Sequence, residues 1–332
     1  MVGPWSPRSP HARARTSRWL ASASATHSST CPRPSLSLSL AALVTETKVE
    51  FDLVLEQDQP SSTAGTPAQS SAWSRSSICA LMRVDPRARY ESQRVPDRLG
   101  ARVVGIRLAA LALAATQAVG LELTPRELSI LARRGSDSAA RSVFGGFARM
   151  HTGPDHEAAY AEPVTSPLLD SIRMVVAVIG GGTPKLHTSR DAMDHTMKTS
   201  PYYRGWLDLV PGDLQTAEAA LAAGDLEQLG TLAEANAFAM HACAMAARPA
   251  VVYWRPATLA VLAQVRGLRE CGVAAWATMD AGPHVKVITS VEDAPAIAMQ
   301  LRDMDGVTAV NISAAGTAAA VVDASKVVEL PR

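Results

Sequence analysis

Beyond the first third of the chain, helix and strand patterns follow one another with clear boundaries. The run "AALALAATQAVG" has the composition of a buried helix and ends at Gly120, which is predicted as a left-handed C-terminal cap. Thr124, Pro125 and Glu127 then predict a capping box with proline at the first position of a second helix. That helix is expected to end at Gly135, and a third is expected to begin at "SDSAARS".

The second half of the chain mixes helices with strands that are close in sequence. "RMVVAVIGGG" is typical of a buried strand and a glycine turn, and two long helices that divide at Gly224 follow it. After a further helix, "AAWATMDAGPHVKVIT" predicts a strand, a turn and a strand. Another helix precedes "TAVNISAAGTAAAVVD", which predicts two strands about a glycine turn. The mixture indicates an α+β arrangement with antiparallel strands.

The first third of the chain is less regular. Residues 35–40, "SLSLSL", and residues 49–55 each alternate apolar and polar side chains, which predicts two strands joined by a short turn. Residues 61–77 have the composition of a linker, and residues 94–108, "RVPDRLGARVVGIRL", match no helix or strand template. Residues 1–44 contain no Asp or Glu, which is typical of a mitochondrial transit peptide or of a disordered tail.

Length, charge and cysteine content exclude several classes of protein. The chain has 332 residues, enough for two domains, and its 32 Lys and Arg residues nearly balance its 31 Asp and Glu residues. This balance argues against a nucleic-acid surface, and no apolar run in the sequence is long enough to cross a membrane. The four cysteines are scattered without a CxxC pair. We therefore expect a reducing, cytoplasmic location rather than a disulfide framework or a zinc site.

Two serines and an arginine form a candidate anion site at the start of the third predicted helix. Ser136 and Ser138 lie at its beginning, and Arg141 follows Ser138 on the same helix face. Hydroxyls, free main-chain N–H groups and a guanidinium are suited to a phosphate or a carboxylate. The alternative is that Ser136 only caps the helix and that Arg141 lies on the surface.

Asp280 is a candidate general base, because it ends an apolar strand and is followed by the turn "AGP". An Asx turn is the alternative role for this carboxylate. His195, His241 and His284 show no spacing suited to a metal cage, so we expect no metal site built from protein side chains.

Four motifs occur in an order and at separations that point to one family. "LSILARRGSDSAARSVFGGF", "MKTSPYY", "EANAFAMHA" and "TMDAGPHVKVI" together resemble the mevalonate diphosphate decarboxylases, members of the GHMP small-molecule kinase superfamily. The resemblance is dense from Ala109 to the C-terminus and also covers residues 34–55. It implies an α/β fold of the GHMP kinase type with two domains. A βαβ-type N-terminal domain would occupy residues 34–170, and a ferredoxin-like C-terminal domain would occupy residues 171–332.

The resemblance also implies a reaction. These enzymes use ATP and Mg²⁺ to phosphorylate the tertiary hydroxyl of mevalonate 5-diphosphate, after which phosphate and carbon dioxide leave and isopentenyl diphosphate remains. In this chain Asp280 would then be the base or orienting group for that hydroxyl, and Arg141 would position the departing carboxylate. Ser136 and Ser138 would lie near the substrate diphosphate.

Further expectations follow from the same resemblance. Ser189 and Lys185 are implied as substrate-binding residues, and the expected partner is a small molecule rather than a nucleic acid or a membrane. A homodimer is a further expectation. Two alternatives remain open: a sister kinase that acts on mevalonate or a phosphomevalonate without decarboxylation, and an inactive, decayed paralogue. Asp137 and Ala192 stand where the family has glycine, and the Asp137 carboxylate would repel a diphosphate unless it points away.

Two N-terminal signatures of the family, "ANIALxKYWGK" and "NxFPTAAGLASSASG", are absent from the sequence. The second is the loop that wraps the ATP phosphates, and it is expected here near Gly100 and Ala101. Possible codons for residues 94–108, read one base later, can spell EFPTASGLASSASG, and one restored base before the Ala109 codon completes EFPTASGLASSASGF. We therefore hypothesise compensating frameshifts in the gene, which would place residues 1–33, 60–79 and 94–108 out of frame. The chain as it stands is expected to bind ATP weakly and to turn over little.

Overall fold

The computed structural model describes residues 11–21, 35–50, 89–93, 104–118, 121–180 and 189–322. This part of the chain forms a six-stranded and a four-stranded antiparallel sheet with helices packed on them. The mixture of helices and antiparallel strands predicted from the sequence is thus confirmed. In this part of the chain, no helix is both long enough and apolar enough to cross a membrane.

The larger sheet consists mainly of strands from the N-terminal half of the chain. Its strands are β1 (His11–Ala21), β2 (Ser35–Glu50), β3 (Arg89–Gln93), β4 (Phe147–Met150), β5 (Ala161–Val164) and β10 (Ala320–Val322). Their order is β10-β1-β2-β4-β5, and β3 pairs with β2 beside this path. A strand from the C-terminal end of the chain therefore completes a sheet that begins at the N-terminus.

The prediction of two strands with a turn between them is wrong, because β2 is one continuous strand. Along the pairing with β1, the register jumps from Arg15 opposite Val44 to Thr16 opposite Leu40. This irregularity in the pairing absorbs residues 41–43, so the chain continues in one direction instead of turning back. The part of the second run that follows Glu50 lies outside the described residues.

Strand β1 lies within residues 1–33, for which we expected a disordered or out-of-frame segment. It pairs with β2 on one side and with β10 on the other. Main-chain hydrogen bonds do not depend on side-chain alternation, so a segment without a strand pattern can still complete a sheet. The disorder prediction therefore does not hold for His11–Ala21.

Three helices accompany the larger sheet: α1 (Val104–Ala118), α2 (Pro125–Arg133) and α3 (Asp137–Ser142). The predicted capping box of α2 is confirmed. The Glu127 carboxylate accepts the main-chain N–H of Thr124 over 2.9 Å, and the Thr124 hydroxyl accepts that of Glu127 over 3.3 Å.

Helix α1 begins five residues before Ala109, inside the stretch that matched no template. Its alanines at positions 109, 110 and 112 are buried in the core, so packing anchors the predicted part of the helix, from which the observed helix extends towards the N-terminus. The predicted cap Gly120 lies outside the described residues, as do the linker-like residues 61–77 and residues 94–103.

The smaller sheet has the strand order β7-β8-β6-β9. Its strands are β6 (Ile172–Ile179), β7 (Trp276–Met279), β8 (Val285–Ser290) and β9 (Val307–Ser313). The helices of this half are α4 (Ser189–Thr199), α5 (Tyr203–Ala223), α6 (Leu226–Met245), α7 (Pro256–Glu270) and α8 (Ala294–Arg302). Gly224 has a φ of +72° and ends α5, which confirms the predicted division of the two long helices.

Both faces of the smaller sheet are buried. One face packs against Val261 of α7 and Ile297 of α8. The opposite face, which carries Val176 and Ile288, belongs to the same core as Leu38 of the larger sheet. Because the two sheets share this core, residues from the two halves of the chain can meet at one site.

The two strands predicted at the C-terminus are present, but they belong to different sheets. β9 pairs with β6, whereas β10 pairs with β1. In the segment between them, the Gly316 N–H donates to the Ser39 carbonyl over 2.6 Å, and the Gly146 N–H donates to the Gly316 carbonyl over 2.9 Å. The glycine turn therefore carries the chain from one sheet to the other.

Candidate active site

Asp280 occupies the first position after β7, where the strand ends in a tight turn. The Gly282 N–H donates to the Asp280 carbonyl over 2.7 Å and closes this turn. The Asp280 carboxylate forms an ion pair with Nζ of Lys286, and the aspartate side chain is 41% exposed. The strand end and the turn thus hold a carboxylate that a ligand can reach, as a general base requires.

Lys286 is a site residue that the sequence patterns did not single out. It lies on the central strand β8, opposite Thr278 of β7 and Val176 of β6, and its side chain is only 2% exposed. The available signal was a lysine inside the apolar run "HVKVIT". A charge on a strand that is covered on both faces must be buried, and buried lysines are rare unless they are paired.

Arg141 is fully buried, so the alternative that places it on the surface is wrong. Its Nη1 donates to the Ser35 hydroxyl of β2 over 2.9 Å. Burial lowers the pKa of the Arg141 guanidinium to about 10, although the charges of Asp137 and Asp280 act to raise it. The guanidinium therefore stays protonated at neutral pH, and its charge is coupled to that of the candidate base.

The two serines of the predicted anion site lie together at the start of α3. Ser136 is the N-cap, and its hydroxyl accepts the main-chain N–H of Ala139 over 3.1 Å. The Ser136 and Ser138 hydroxyl oxygens are 2.9 Å apart. The capping role of Ser136 is thus observed, and it places both hydroxyls in the same short segment as Arg141.

Asp137 is buried between the two serines and is paired with an arginine. Its carboxylate lies 3.6 Å from Nε of Arg133, one turn earlier in the chain. Both side chains are more than nine-tenths buried, so this contact is poorly screened by solvent. The guanidinium of Arg133 therefore offsets part of the negative charge that Asp137 brings to the serine segment.

His241 lies on α6 beneath the Asp280 turn and is 1% exposed. Its ring packs against Tyr253 and Trp254, with centroids 5.7 and 5.1 Å away. Burial lowers the pKa of the imidazole to about 4. The charge of Asp280 and a hydrogen bond with its main chain act to raise this pKa, while Lys286 lowers it further. His241 is thus a neutral support for the turn, and sequence spacing alone identified it only as an unsuitable metal ligand.

The depressed pKa of His241 predicts a pH dependence of stability. As the pH falls from about 6.5 towards 4, the unfolded chain binds a proton that the buried imidazole does not, so the free energy of unfolding decreases. In His241→Gln this contribution is absent, and the stability advantage of the wild type over the variant shrinks by up to about 1.4 kcal/mol per pH unit. Urea unfolding at pH 8, 6 and 5 measures the difference. Parallel pH dependences in the two proteins would contradict the prediction.

The structure describes the other residues expected at the site only in part. Ser189 is the first residue of α4, and nothing is described of its side chain. Lys185 and the phosphate loop expected near Gly100 and Ala101 lie outside the described residues. Ala192 is 8% exposed on α4.

The three histidines considered as metal ligands have other surroundings. Nδ1 of His284 accepts the main-chain N–H of Ile179 over 3.0 Å, and Nε2 of His195 lies 2.8 Å from the Pro249 carbonyl. Within the described ranges, no group of three His, Cys, Asp or Glu side chains is arranged to hold a metal ion.

Comparison with known proteins covers both halves of the chain. The model of the diphosphomevalonate decarboxylase-like N-terminal domain matches residues 24–161, and that of the mevalonate 5-diphosphate decarboxylase C-terminal domain matches residues 174–327. Phosphomevalonate decarboxylase of Haloferax volcanii is 31% identical over 210 residues, which is 63% of this chain and 63% of that protein. The match to this curated relative therefore spans less than two thirds of its length.

Solved structures match over nearly their whole length. A mevalonate diphosphate decarboxylase structure from Enterococcus faecalis, in complex with MVAPP, AMPPCP and magnesium, is 33% identical with a TM-score of 0.82. The match covers 95% of this chain and 99% of that one. The Staphylococcus aureus enzyme is 31% identical with a TM-score of 0.82, over 95% and 98% of the two chains. These matches confirm the two-domain fold of the GHMP type, and the chain belongs to the mevalonate diphosphate decarboxylase family.

Proposed function

We propose that the chain decarboxylates mevalonate 5-diphosphate to isopentenyl diphosphate, with ATP converted to ADP and phosphate. The observation that carries this proposal is the coupling of a reachable carboxylate, Asp280, to two buried cations, Lys286 and Arg141. The reaction needs a group that receives a hydroxyl proton and a cationic pocket that binds an anionic substrate. The MVAPP, AMPPCP and magnesium bound in the related E. faecalis structure support this choice of ligands.

Each site residue then has a defined task. The Asp280 carboxylate accepts the proton of the tertiary hydroxyl, to which ATP supplies a phosphoryl group. The Arg141 guanidinium, fixed by burial and by Ser35, holds the substrate carboxylate that departs as carbon dioxide. The Ser136 and Ser138 hydroxyls bind the diphosphate. Because the cations are already placed in a poorly solvated site, they stabilise developing charge without reorganisation.

The cofactors fit this arrangement. Mg²⁺ is usually held by few carboxylates together with substrate phosphates and water, rather than by a cage of protein side chains. The ligands of the ion would thus include phosphate oxygens of ATP and water. ATP and Mg²⁺ are therefore the cofactors that we propose.

Several finer points belong to the same proposal. We place substrate contacts at Ser189 and Lys185, and a domain boundary between residues 34–170 and 171–332. The two family models, which end at residue 161 and begin at residue 174, support this boundary. A cytoplasmic location and a homodimer remain predictions from the sequence.

A second candidate substrate is mevalonate 5-phosphate. The Haloferax volcanii relative is a phosphomevalonate decarboxylase. The buried carboxylate of Asp137 also stands between the two serines that would bind the phosphate groups. A fixed negative charge there disfavours the more highly charged diphosphate more than the monophosphate.

The two substrates are distinguished by measuring carbon dioxide and ADP separately. We expect ATP-dependent carbon dioxide release from mevalonate 5-diphosphate, in amounts equal to ADP. Greater turnover of the 5-phosphate would establish the second candidate. ADP without carbon dioxide would indicate the sister kinase, and an intact protein that binds neither nucleotide nor substrate would indicate the decayed paralogue.

Substitution of Asp137 by asparagine tests how its charge affects the substrate. The amide keeps the size of the side chain and removes the negative charge that is paired with Arg133 and adjacent in sequence to the two serines. We expect the Kd for mevalonate 5-diphosphate to fall by roughly 3–10-fold, and that for the 5-phosphate to fall less. Calorimetric titration of both ligands measures the effect. Equal changes for the two ligands would show that Asp137 does not discriminate between them.

A further inference from the structure

The lysine of β8 lies on an apolar face of the smaller sheet. Lys286 projects to the same side as Ile288, and its cross-strand neighbours are Val176 and Thr278. Its side chain is 2% exposed. Burial of an ammonium among such groups is unfavourable unless a partner compensates for the lost hydration. The charge therefore needs a role that an apolar side chain of similar size could not fill.

The partner of this lysine, Asp280, is much more exposed to solvent. The Asp280 side chain is 41% exposed, whereas the ammonium with which it pairs is enclosed. Ion pairs that only stabilise a fold can often be replaced by apolar side chains of similar volume without loss. An enclosed cation beneath a reachable carboxylate is instead suited to fixing the position and the charge of that carboxylate.

Charged and titratable groups approach Asp280 from three elements. Lys286 of β8 is in direct contact, and Arg141 of α3 acts through its charge. His241 of α6 forms a hydrogen bond with the Asp280 main chain, and burial lowers its pKa to about 4, so it brings no charge at neutral pH. Both cations favour the ionised carboxylate, and Lys286 has the greater effect because Coulomb energy rises as distance falls.

We propose that Lys286 is a positioning residue for the reaction, whose enclosed ammonium keeps the Asp280 carboxylate ionised and aimed at the substrate hydroxyl. This inference rests on the proposed function, in which Asp280 accepts the hydroxyl proton. As the O–H bond breaks, its proton passes to the carboxylate, the oxygen forms a bond to the γ-phosphorus of ATP, and ADP leaves with the electron pair. Lys286 remains protonated throughout and acts on the reaction only through its contact with the Asp280 carboxylate.

Substitution of Lys286 by methionine tests the inference, because the side chain keeps its approximate length and loses its charge. The ionisation of Asp280 is followed as the infrared carboxylate band that is lost in Asp280→Asn. In Lys286→Met the midpoint of this titration is expected to rise by about 1 pH unit or more. The control is Lys198→Met, which removes an exposed lysine from α4 and should leave the midpoint unchanged.

Kinetics supply a second readout. The rate of carbon dioxide release at neutral pH should fall about 100-fold in Lys286→Met, because the carboxylate is no longer aimed at the hydroxyl. The acid limb of the pH profile should be displaced by the same amount as the titration. If Lys286 acts through Asp280, the same substitution made in the Asp280→Asn protein causes no further loss. A role in the fold alone would reduce the rate in both backgrounds.

An unchanged infrared midpoint in folded Lys286→Met overturns the inference, whatever the rate of turnover. Should that variant fail to fold, Lys286→Arg retains the positive charge and is expected to keep the wild-type midpoint. A midpoint raised by about 1 unit in Lys286→Arg would then overturn it. If the titration shifts as expected but wild-type protein releases no carbon dioxide, the proposed function fails and the control of Asp280 by Lys286 stands.

Discussion

Substitution of Asp280 by asparagine is expected to lower the rate of carbon dioxide release about 1,000-fold. The amide has nearly the same shape as the carboxylate but cannot accept the proton of the substrate hydroxyl. Ground-state contacts with the substrate are retained, so the loss falls on kcat, while KM changes little. Single-turnover release of labelled carbon dioxide measures the loss. This measurement is sensitive enough to detect slow turnover.

The matched control for this substitution is Asp305→Asn, in the exposed turn before β9. It should leave the rate unchanged, because its side chain is exposed and β9 is separated from β8, the strand of Lys286, by β6. Thermal unfolding of both variants establishes that they are folded. A folded Asp280→Asn protein with more than about a tenth of the wild-type rate would show that the carboxylate is not the base, since general bases contribute more than this.

Restoration of the phosphate loop is expected to have a comparably large effect. When residues 94–108 are replaced by EFPTASGLASSASGF, the affinity for ATP should rise by at least about 100-fold. The physical reason is that glycine and serine N–H groups donate to phosphate oxygens, and each hydrogen bond to a charged group contributes about 1.5–3 kcal/mol. Two such bonds correspond to about 100-fold or more in affinity. Carbon dioxide release should increase with the affinity.

A protein that carries the same fifteen residues in scrambled order is the control for this replacement. Titration with ATP compares it with the wild type and with the restored loop. If the unaltered chain binds ATP as tightly as the restored one, residues 94–108 are functional as they stand, and the expected weak binding of ATP is wrong. Resequencing of the gene tests the origin of the segment independently, because an intact frame that encodes "RVPDRLGARVVGIRL" excludes a frameshift there.

Two elements show why part of this fold can be predicted from sequence. The capping box at Thr124 and Glu127 and the division of the two long helices at Gly224 appear in the structure as predicted. Both depend on hydrogen bonds and dihedral angles within a few consecutive residues, so the determining atoms are adjacent in the chain. The strand, turn and strand around Asp280 were predictable for the same reason.

The arrangement of the strands could be predicted less well from the sequence. β2 continues through a bulge where two alternating runs indicated a turn, and β1 forms where no strand pattern exists. β9 and β10 are close in sequence but belong to different sheets. In each case, pairing with a distant strand sets the outcome, and local side-chain patterns do not encode the identity of that partner.

The candidate site also has some features that could be predicted from the sequence and others that only the tertiary structure shows. Local sequence patterns singled out Asp280, Arg141 and the two serines, and the family resemblance supplied the chemistry expected of them. Sequence spacing could not show that Arg141 is buried against Ser35, 106 residues away, or that its charge is coupled to that of Asp280. Nor did it assign roles to Lys286 and His241, which contact the candidate base from other elements. Burial and long-range electrostatics exist only once the core has formed, because they depend on the water that packing removes.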